Sequence, residues 1–483
     1  MRIIGNDPNK PRQTAAVASG TLSTGDTVVV NSDGTVSAVA ETNVTQNVGA
    51  ATVITTNSTE WLASAYDPVA DRVVVFYRDG GNNNYGTAVV GTVSGTTISF
   101  GTPTVFKSSE CNYNAATYDV ASGKIVVVYE DSANSSYGGA QVGTVSGSSI
   151  SFGSRVTFNP NGTTRHLAIT YDSTAQKVVV VYAWNTFFSA SVGTVSGNSI
   201  SFGSQAQIAQ SSNQYRNCSV TYDPTADKIV AVGSDLGQST RPEAFLGTVS
   251  GTSISFGTDV AINGNSGSNS NSIVYDASIQ AVVVVYQSST DSNGYAEVGT
   301  ISGSTLTFNN NRTMFDNTGG YNYELAYDSY AQKSVVFYQA GGNLDPYAVV
   351  LTGSGTNLTA GTPVQIDNRN QDQNTLVFDS GSNQVLLSWY NTQDTQQEAV
   401  MFRNATTAIN LTAENYIGTA KSGAPSGQGV TLNTQGSIDD NRTGLTAGQS
   451  YYVQTDGTIS TTAGDPSVFA GTAVSSTKLI VKG

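Results

Sequence analysis

Carboxylates recur in this chain at a spacing that could do chemistry. Each follows an aromatic ring: Tyr66-Asp67, Tyr118-Asp119, Tyr171-Asp172, Tyr222-Asp223, Tyr275-Asp276, Tyr327-Asp328 and Phe378-Asp379, with gaps of 52, 53, 51, 53, 52 and 51 residues. Such groups are candidates for acid–base work or for holding a hard cation. The chain has one histidine, His166, beside Arg165, and two cysteines, Cys111 and Cys218. One imidazole and two unrelated thiols cannot close a zinc site. Calcium stays open, because the loops Asp79 to Asn84, Asp131 to Ser135 and Asp291 to Asn293 offer oxygen ligands. None has EF-hand spacing, and such loops are mostly plain turns. The expectation is therefore no cofactor, no metal site and no catalytic residue. A Ser-His-Asp triad on a nucleophile elbow and a sialidase-type S-x-D-x-G-x-x-W box are both absent from the sequence.

The elements that position these groups repeat with the Asp. In the first unit Trp61 to Asp67 alternates moderately, Arg72 to Tyr77 is a β-branched run, and Thr87 to Val93 and Thr97 to Phe100 follow. Ser94-Gly95 reads as a hairpin turn. The turn after each Asp has near-constant length, so Asp67, Asp119, Asp172, Asp223, Asp276, Asp328 and Asp379 read as Asx-turn residues rather than as a site. Four short antiparallel strands repeated every 50 or so residues predict an all-β fold, a seven-bladed β-propeller of four-stranded blades. A β-solenoid is the runner-up. Repeat seven loses its Gly-Thr-Val-Ser-Gly turn, and its last strand reads as Ala408 to Leu411. Ahead of repeat one, Val48 to Ile54 aligns with the end of repeat one: Ile54 precedes Tyr66 by 12 residues, as Phe106 precedes Tyr118. This segment is expected to dock on blade seven and latch the ring.

The termini resemble each other: Leu22 to Ser37 (LSTGDTVVVNSDGTVS) matches Leu445 to Ser460 (LTAGQSYYVQTDGTIS) without a gap. Both carry an Asp-Gly hairpin, Asp33-Gly34 and Asp456-Gly457. Asn47-Val48-Gly49, Asn415 to Gly418 and Phe469 to Gly471 echo one another. The domains are thus expected at 1–47 (N-terminal β module), 48–412 (propeller) and 413–483 (C-terminal β module), the terminal modules forming a small β domain with the propeller between them. Residues 421–444 read as a long loop or an irregular strand pair.

Composition excludes several classes. With 21 basic against 35 acidic residues and a net charge of −14, the chain has no basic stripe for nucleic acid. No run of 18 apolar residues is present, so no membrane insertion is expected. Met1 to Arg12 lacks a signal-peptide stretch, and the cysteines are expected to be buried and unpaired. The Gly/Ser/Thr/Asn-rich surface nonetheless suits an extracellular adhesive protein. Manufacture in a cytoplasm and release by lysis reconciles the two.

The phrases VVVNSDGTVS, GTVSGTSISFG with YD…KVVVVY, and ENYIG…GLTAGQSYYVQTDGTIS…SVFAGTAVSSTKLIVKG resemble repeat-containing structural proteins of tailed bacteriophages, especially marine ones. The resemblance covers nearly the whole chain and implies a virion component of the tail-fibre-like or appendage kind. The chain lacks the heptads or collagen-like repeats of a long shaft.

Between repeats, the loops joining strands two and three and the connections between units vary, while the other turns do not. In a propeller both variable sets lie on one face, the usual arrangement of a loop-borne site. That face carries Trp61, Tyr113, Arg165, His166, Trp184, Phe187, Tyr215, Arg216, Arg241, Tyr321 and Asp372. Rings with polar neighbours suit sugar stacking and protein contacts alike. Tyr85, Tyr137, Tyr295 and Tyr347 recur at similar unit positions and read as structural. The expected function is host-surface recognition, of glycan or protein, by a non-enzymatic virion protein that also contacts other virion proteins, with a homo-oligomer left open. Alternatives are a head or tail decoration protein and a glycan-binding lectin or glycan hydrolase.

Overall fold

The computed structural model describes residues 12–482 except 239 and 263–267, with the side chains of 268–270 also outside the description. Most of the connection from blade four to blade five therefore lies outside it. The chain forms two compact units, Gln46–Asn404, and Met1–Thr45 with Ala405–Gly483. Among the described residues the only helical turns are Ser132–Asn134 and Leu236–Gln238.

The larger unit is a seven-bladed propeller. Blade one runs Thr59–Asp67, Arg72–Asp79, Tyr85–Ser94 and Thr97–Phe100, each antiparallel to the one before. Its third strand pairs at its other half with the start of Thr104–Asp119, so the outer position is filled in two pieces. The same split outer edge recurs in the later blades. Each Asp of the repeated step accepts backbone N–H groups of its own turn: Val69 and Ala70 donate to Asp67 Oδ1 at 3.0 and 2.9 Å, and Gly381 and Ser382 to Asp379 Oδ1 at 2.9 and 3.1 Å. The second oxygen can tie blades together. Asp276 Oδ2 accepts from Ser334 at 3.0 Å, and Asp328 Oδ2 from Asn404 at 2.7 Å. The Tyr of the step does the same from the other side, Tyr171 Oη accepting from Ala121 N of the preceding blade at 3.1 Å.

The β-branched second strands are buried on both faces because a blade stands on each side. Val73, Val75 and Tyr77 pack with Leu386 and Met401 of blade seven. Val74 and Phe76 pack with Ile125, Val127 and Tyr129 of blade two. Blade seven comprises Gln371–Asp379, Gln384–Asn391 and Gln396–Arg403, and takes its outer edge from Asn47–Val48 and Thr52–Thr55. Val48 stands opposite Phe402 and Val53 opposite Glu398. Gly49 closes the ring: a Cβ there would lie 2.0 Å from Thr96 O of blade one, as one on Gly153 would lie 1.8 Å from Asn198 O between blades two and three. The segment Ala408 to Leu411, expected as the last strand of blade seven, is not in that blade. Thr406–Ile409 pairs with Glu41–Val44 in the other unit, so the propeller ends at Asn404 rather than at residue 412.

The smaller unit holds two copies of one β module. In the first, Gln13–Val17, Gly429–Asn433, Tyr416–Ala420, Thr27–Val30 and Val36–Ala38 lie side by side in that order. In the second the order is Ile438–Asp439, Lys478–Val481, Val468–Ser475, Ser450–Val453 and Ile459–Ser460. The copies match strand for strand, including a bulge just before Gly418 and Gly471, at Ile417 and Ala470. The propeller is thus inserted within the first copy, not between two terminal modules. The stretch 421–444 contributes a strand to each sheet. Of the three echoing segments, those ending at Gly418 and Gly471 fill equivalent places in the two modules, while Asn47-Val48-Gly49 belongs to blade seven.

Candidate functional site

The innermost strand of every blade breaks its pairing register at one place, between Glu60 and Ala63, Asn112 and Ala115, Arg165 and Ala168, Arg216 and Ser219, Ser268 and Asn271, Tyr321 and Glu324, and Asp372 and Asn374. A bulge re-aims the side chain it carries. At this bulge Trp61, Tyr113, His166, Asn217, Asn322 and Gln373 have φ of 54, 52, 50, 50, 56 and 52°. The left-handed region is tolerated by Asn but costs a bulky ring of order 1–2 kcal/mol. Blades one to three nonetheless place rings there, and the rings touch. Trp61 and Tyr113 have centroids 4.1 Å apart, Tyr113 and His166 5.0 Å apart.

These side chains line the mouth of the axial channel. A cavity of about 260 Å³ lies there, walled on one side by the three rings and on the other by Asn217, Asn322 and Gln373. A second cavity of about 260 Å³ continues along the axis past Asn114, Asn271 and Glu324. Gln373 Oε1 accepts from Trp61 N at 3.1 Å, and Asn114 Nδ2 donates to Trp61 O at 2.9 Å, so the amides also hold the bulges. Several polar atoms at the lining have no hydrogen-bond partner among the described residues: Trp61 Nε1, Asn114 Oδ1 and both side-chain polar atoms of Asn271. A buried polar group without a partner costs free energy until water or a ligand supplies one.

His166 and Glu324 are among the titratable groups that face this space. Burial, reinforced by the Arg216 and Arg165 guanidinium groups, lowers His166 to about 4, so its imidazole is neutral. Glu324 stands among small residues, Ala63, Ala115, Ala168, Ser219, Ser272 and Thr375 holding its place in the other blades. It is open to channel water yet enclosed by protein on all sides, which raises its carboxyl to about 7 against a weak opposing contact from Ser272.

The residues expected on the variable face fall into three groups. Trp61, Tyr113 and His166 meet at the axis. Arg165, Arg216, Tyr321 and Asp372 each precede a bulge residue and form an exposed rim around the mouth. Arg165, His166, Trp184 and Tyr215 line a separate cleft of about 150 Å³ between blades three and four, with Phe187 stacked on Trp184 at 4.8 Å. Arg241 is held by Glu243 and Asp259. Asn57 Nδ2 donates to Asp79 Oδ1 at 2.8 Å and Thr392 N to Asn370 O at 2.9 Å, so the two variable sets of loops do share a face. Tyr85 and Tyr137 stand opposite Asp79 and Asp131, but Tyr295 and Tyr347 stand opposite Tyr286 and Tyr338, so these four are two structural classes and not one. The carboxylates of the candidate calcium loops are engaged by protein: Asp79 by Asn57, Asp131 by Lys107 and Arg155, Asp291 by Tyr295.

The amides of the axial ring and Glu324 were not expected from sequence. The signal is a column: five residues before each Tyr/Phe-Asp step the repeats read Trp, Tyr, His, Asn, Ser, Asn, Gln.

No protein-family model and no curated protein matches the chain. Solved structures similar to it include a lectin mutant from Aleuria aurantia in complex with Fucα1-6GlcNAc, 14% identical, covering 64% of this chain and 96% of that one with a TM-score of 0.41. Another is AofleA from Arthrobotrys oligospora, 10% identical, covering 86% and 97%, with a TM-score of 0.42. Likenesses this distant leave the ligand of this chain to be argued from its own residues.

Proposed function

We propose that the propeller is a glycan-binding module whose axial mouth takes a single sugar residue. The observation that carries this is the two-sided wall: three touching rings, all held at unfavourable φ, face amides and unpartnered polar atoms across a cavity of about 260 Å³. Strained residues at a pocket point to function rather than packing. An apolar face opposite a hydroxyl-binding face is what a pyranose ring presents in reverse. The volume lies just below the range of about 300–1,000 Å³ for drug-sized ligands, which suits one ring better than a chain. Neutral His166 and the amides can donate or accept, and Glu324 sits where a ligand reaching down the axis would end.

In this reading the terminal modules, whose sequence resembles tailed-phage structural proteins, carry the propeller on a virion, and the glycan belongs to the host surface. Isothermal titration of the whole chain against a panel of neutral and N-acetylated monosaccharides tests the site. One-to-one binding at about millimolar affinity or better is expected. Saturable binding by none of them, nor by the corresponding disaccharides, would refute it. Labelling of the protein on purified particles tests the placement separately.

A further inference from the structure

Away from the axis, each blade presents a slot beside its third strand. At one register position on the third strand the blades carry Thr87, Gly139, Ser189, Glu243, Tyr295, Tyr347 and Glu398. Four of them have an arginine in the slot beside it. In blade two Arg155 pairs with Asp131 at 2.5 Å, and its Nε lies 3.2 Å from where a Cβ of Gly139 would stand. In blade four Arg241 bridges Glu243 and Asp259. In blade five the Arg312 guanidinium carbon sits 4.4 Å from the Tyr295 ring centroid. In blade seven Arg369 is held by Asp367, Asp394 and Glu398. Blades one to three, with Thr87, Gly139 and Ser189, have no aromatic or acidic group at this position, and Arg155 of blade two answers to Asp131 of the neighbouring strand instead.

Blade six has the demand without the supply. Tyr347 takes the place of Tyr295, and Tyr338 that of Tyr286. Counting from the conserved turn, Pro363 stands where blade two has Arg155, and Ala340 where it has Asp131. A cleft of about 380 Å³ remains, lined by Phe315, Tyr338, Tyr347, Pro363, Asn343 and Asp316. Phe315 and Tyr347 lie 5.9 and 6.1 Å from Tyr338, ring centroid to centroid. Tyr338 is only 2% exposed. Among the described residues Asp316, 3% exposed, accepts hydrogen bonds only from neutral donors, Thr318, Gly320 and Tyr323, and makes no ion pair. From residue 313 to 363 the single basic side chain is Lys333, at the hairpin turn at the far end of the blade. Aromatic faces above a carboxylate attract a cation and repel an anion.

We propose that this cleft is a binding site for an organic cation, a guanidinium or alkylammonium group that a ligand supplies where other blades supply arginine. The group can come from a free small molecule or from an arginine or lysine side chain on another protein. The test titrates the full chain, observed by NMR, with two matched pairs: choline against 3,3-dimethylbutan-1-ol, and N-acetyl-arginine amide against its citrulline counterpart. The charged member of at least one pair should bind about fivefold or more tightly. Pro363→Arg, which supplies the guanidinium internally, should abolish that binding, and Tyr347→Thr, which copies blade one, should weaken it at least fivefold. Thermal unfolding checks that both variants fold. An arginine held in a host peptide that binds tenfold better than the free amide assigns the group to a protein partner; equal binding assigns it to a small molecule. Equal binding of the neutral isosteres, no saturable binding of either cation, or unchanged binding in a folded Pro363→Arg protein would each overturn the proposal.

Discussion

Replacing Trp61 by Asn separates a binding ring from a packing ring. Asn217 and Asn322 already occupy the same bulge position with φ of 50 and 56°, so the backbone accepts the new side chain without change. Two terms act on stability. The left-handed conformation costs a tryptophan of order 1–2 kcal/mol, most of which Asn relieves. Against that, the contact with Tyr113 at 4.1 Å is lost, about 0.5–1.5 kcal/mol. The rest of the indole faces the channel and is only partly buried, so no core cavity opens. The net change in unfolding free energy is therefore within about 1 kcal/mol of zero, where truncating a core tryptophan typically costs about 3–5. Sugar affinity should behave differently. Loss of one aromatic wall removes on the order of 1–2 kcal/mol, about five- to thirtyfold in Kd. Urea unfolding gives the first quantity and calorimetric titration with the best-bound monosaccharide the second. A stability loss of about 3 kcal/mol or more would show that the ring is there to pack. An unchanged Kd in a folded variant would show that the sugar binds elsewhere.

Two further predictions concern the axis and the latch. His166 is held near 4, below its ordinary 6.5, so unfolding takes up a proton between those values and stability falls as pH drops from about 6.5 to 4. Glu324 is held near 7, above its ordinary 4.5, so its contribution is fully present below 4.5 and is lost as pH rises toward 7. The two oppose each other between pH 4.5 and 6.5. Urea midpoints should rise more steeply with pH in Glu324→Gln than in the parent, and His166→Asn should tilt the profile the other way; parallel profiles in all three proteins would sink this reading. At the latch, a methyl on Gly49 meets Thr96 O at 2.0 Å. Gly49→Ala should cost about 1–3 kcal/mol, the range for overpacking, and Gly153→Ala a similar amount by the same denaturation assay. A neutral Gly49→Ala would mean that residues 47–55 do not close the ring.

How far the sequence could be read depends on which physical constraint each residue answers to. The Tyr/Phe-Asp step is legible because a turn of fixed length needs an acceptor at its start, and Asp67 and its equivalents meet that need within a few residues. Trp61, Tyr113 and His166 stand out because they are bulky where later repeats are not. Their mutual contact is invisible in sequence: it follows from a bulge and a positive φ that alternation patterns do not encode. Glu324 hides for another reason. It lies inside a strand reading YNYELAYD, and strand periodicity cannot tell a side chain facing a channel from one facing solvent. The terminal modules show a third limit. Asn47 to Gly49 and Asn415 to Gly418 compete for one strand position in the first module, and only three-dimensional pairing decides that the later segment completes it while the earlier one edges blade seven.

In a ring of repeats the packing columns cannot drift freely, because each side chain meets the facing column of the neighbouring blade, as Val73 meets Leu386 and Val74 meets Ile125. Val73 of blade one and Val178 of blade three are both fully buried for that reason. Columns that face open space are released from this constraint, and the axial bulge and the third-strand slot are two such columns. They differ in how they report function. The axial mouth draws residues from every blade, so one substitution there changes a shared wall by degrees. The slot belongs to one blade and the connections beside it, and the ring supplies its own reference: Arg241, Arg312 and Arg369 show what the acidic or aromatic slots of blades four, five and seven hold, which makes the missing arginine of blade six an observation about that blade rather than about arginine in general.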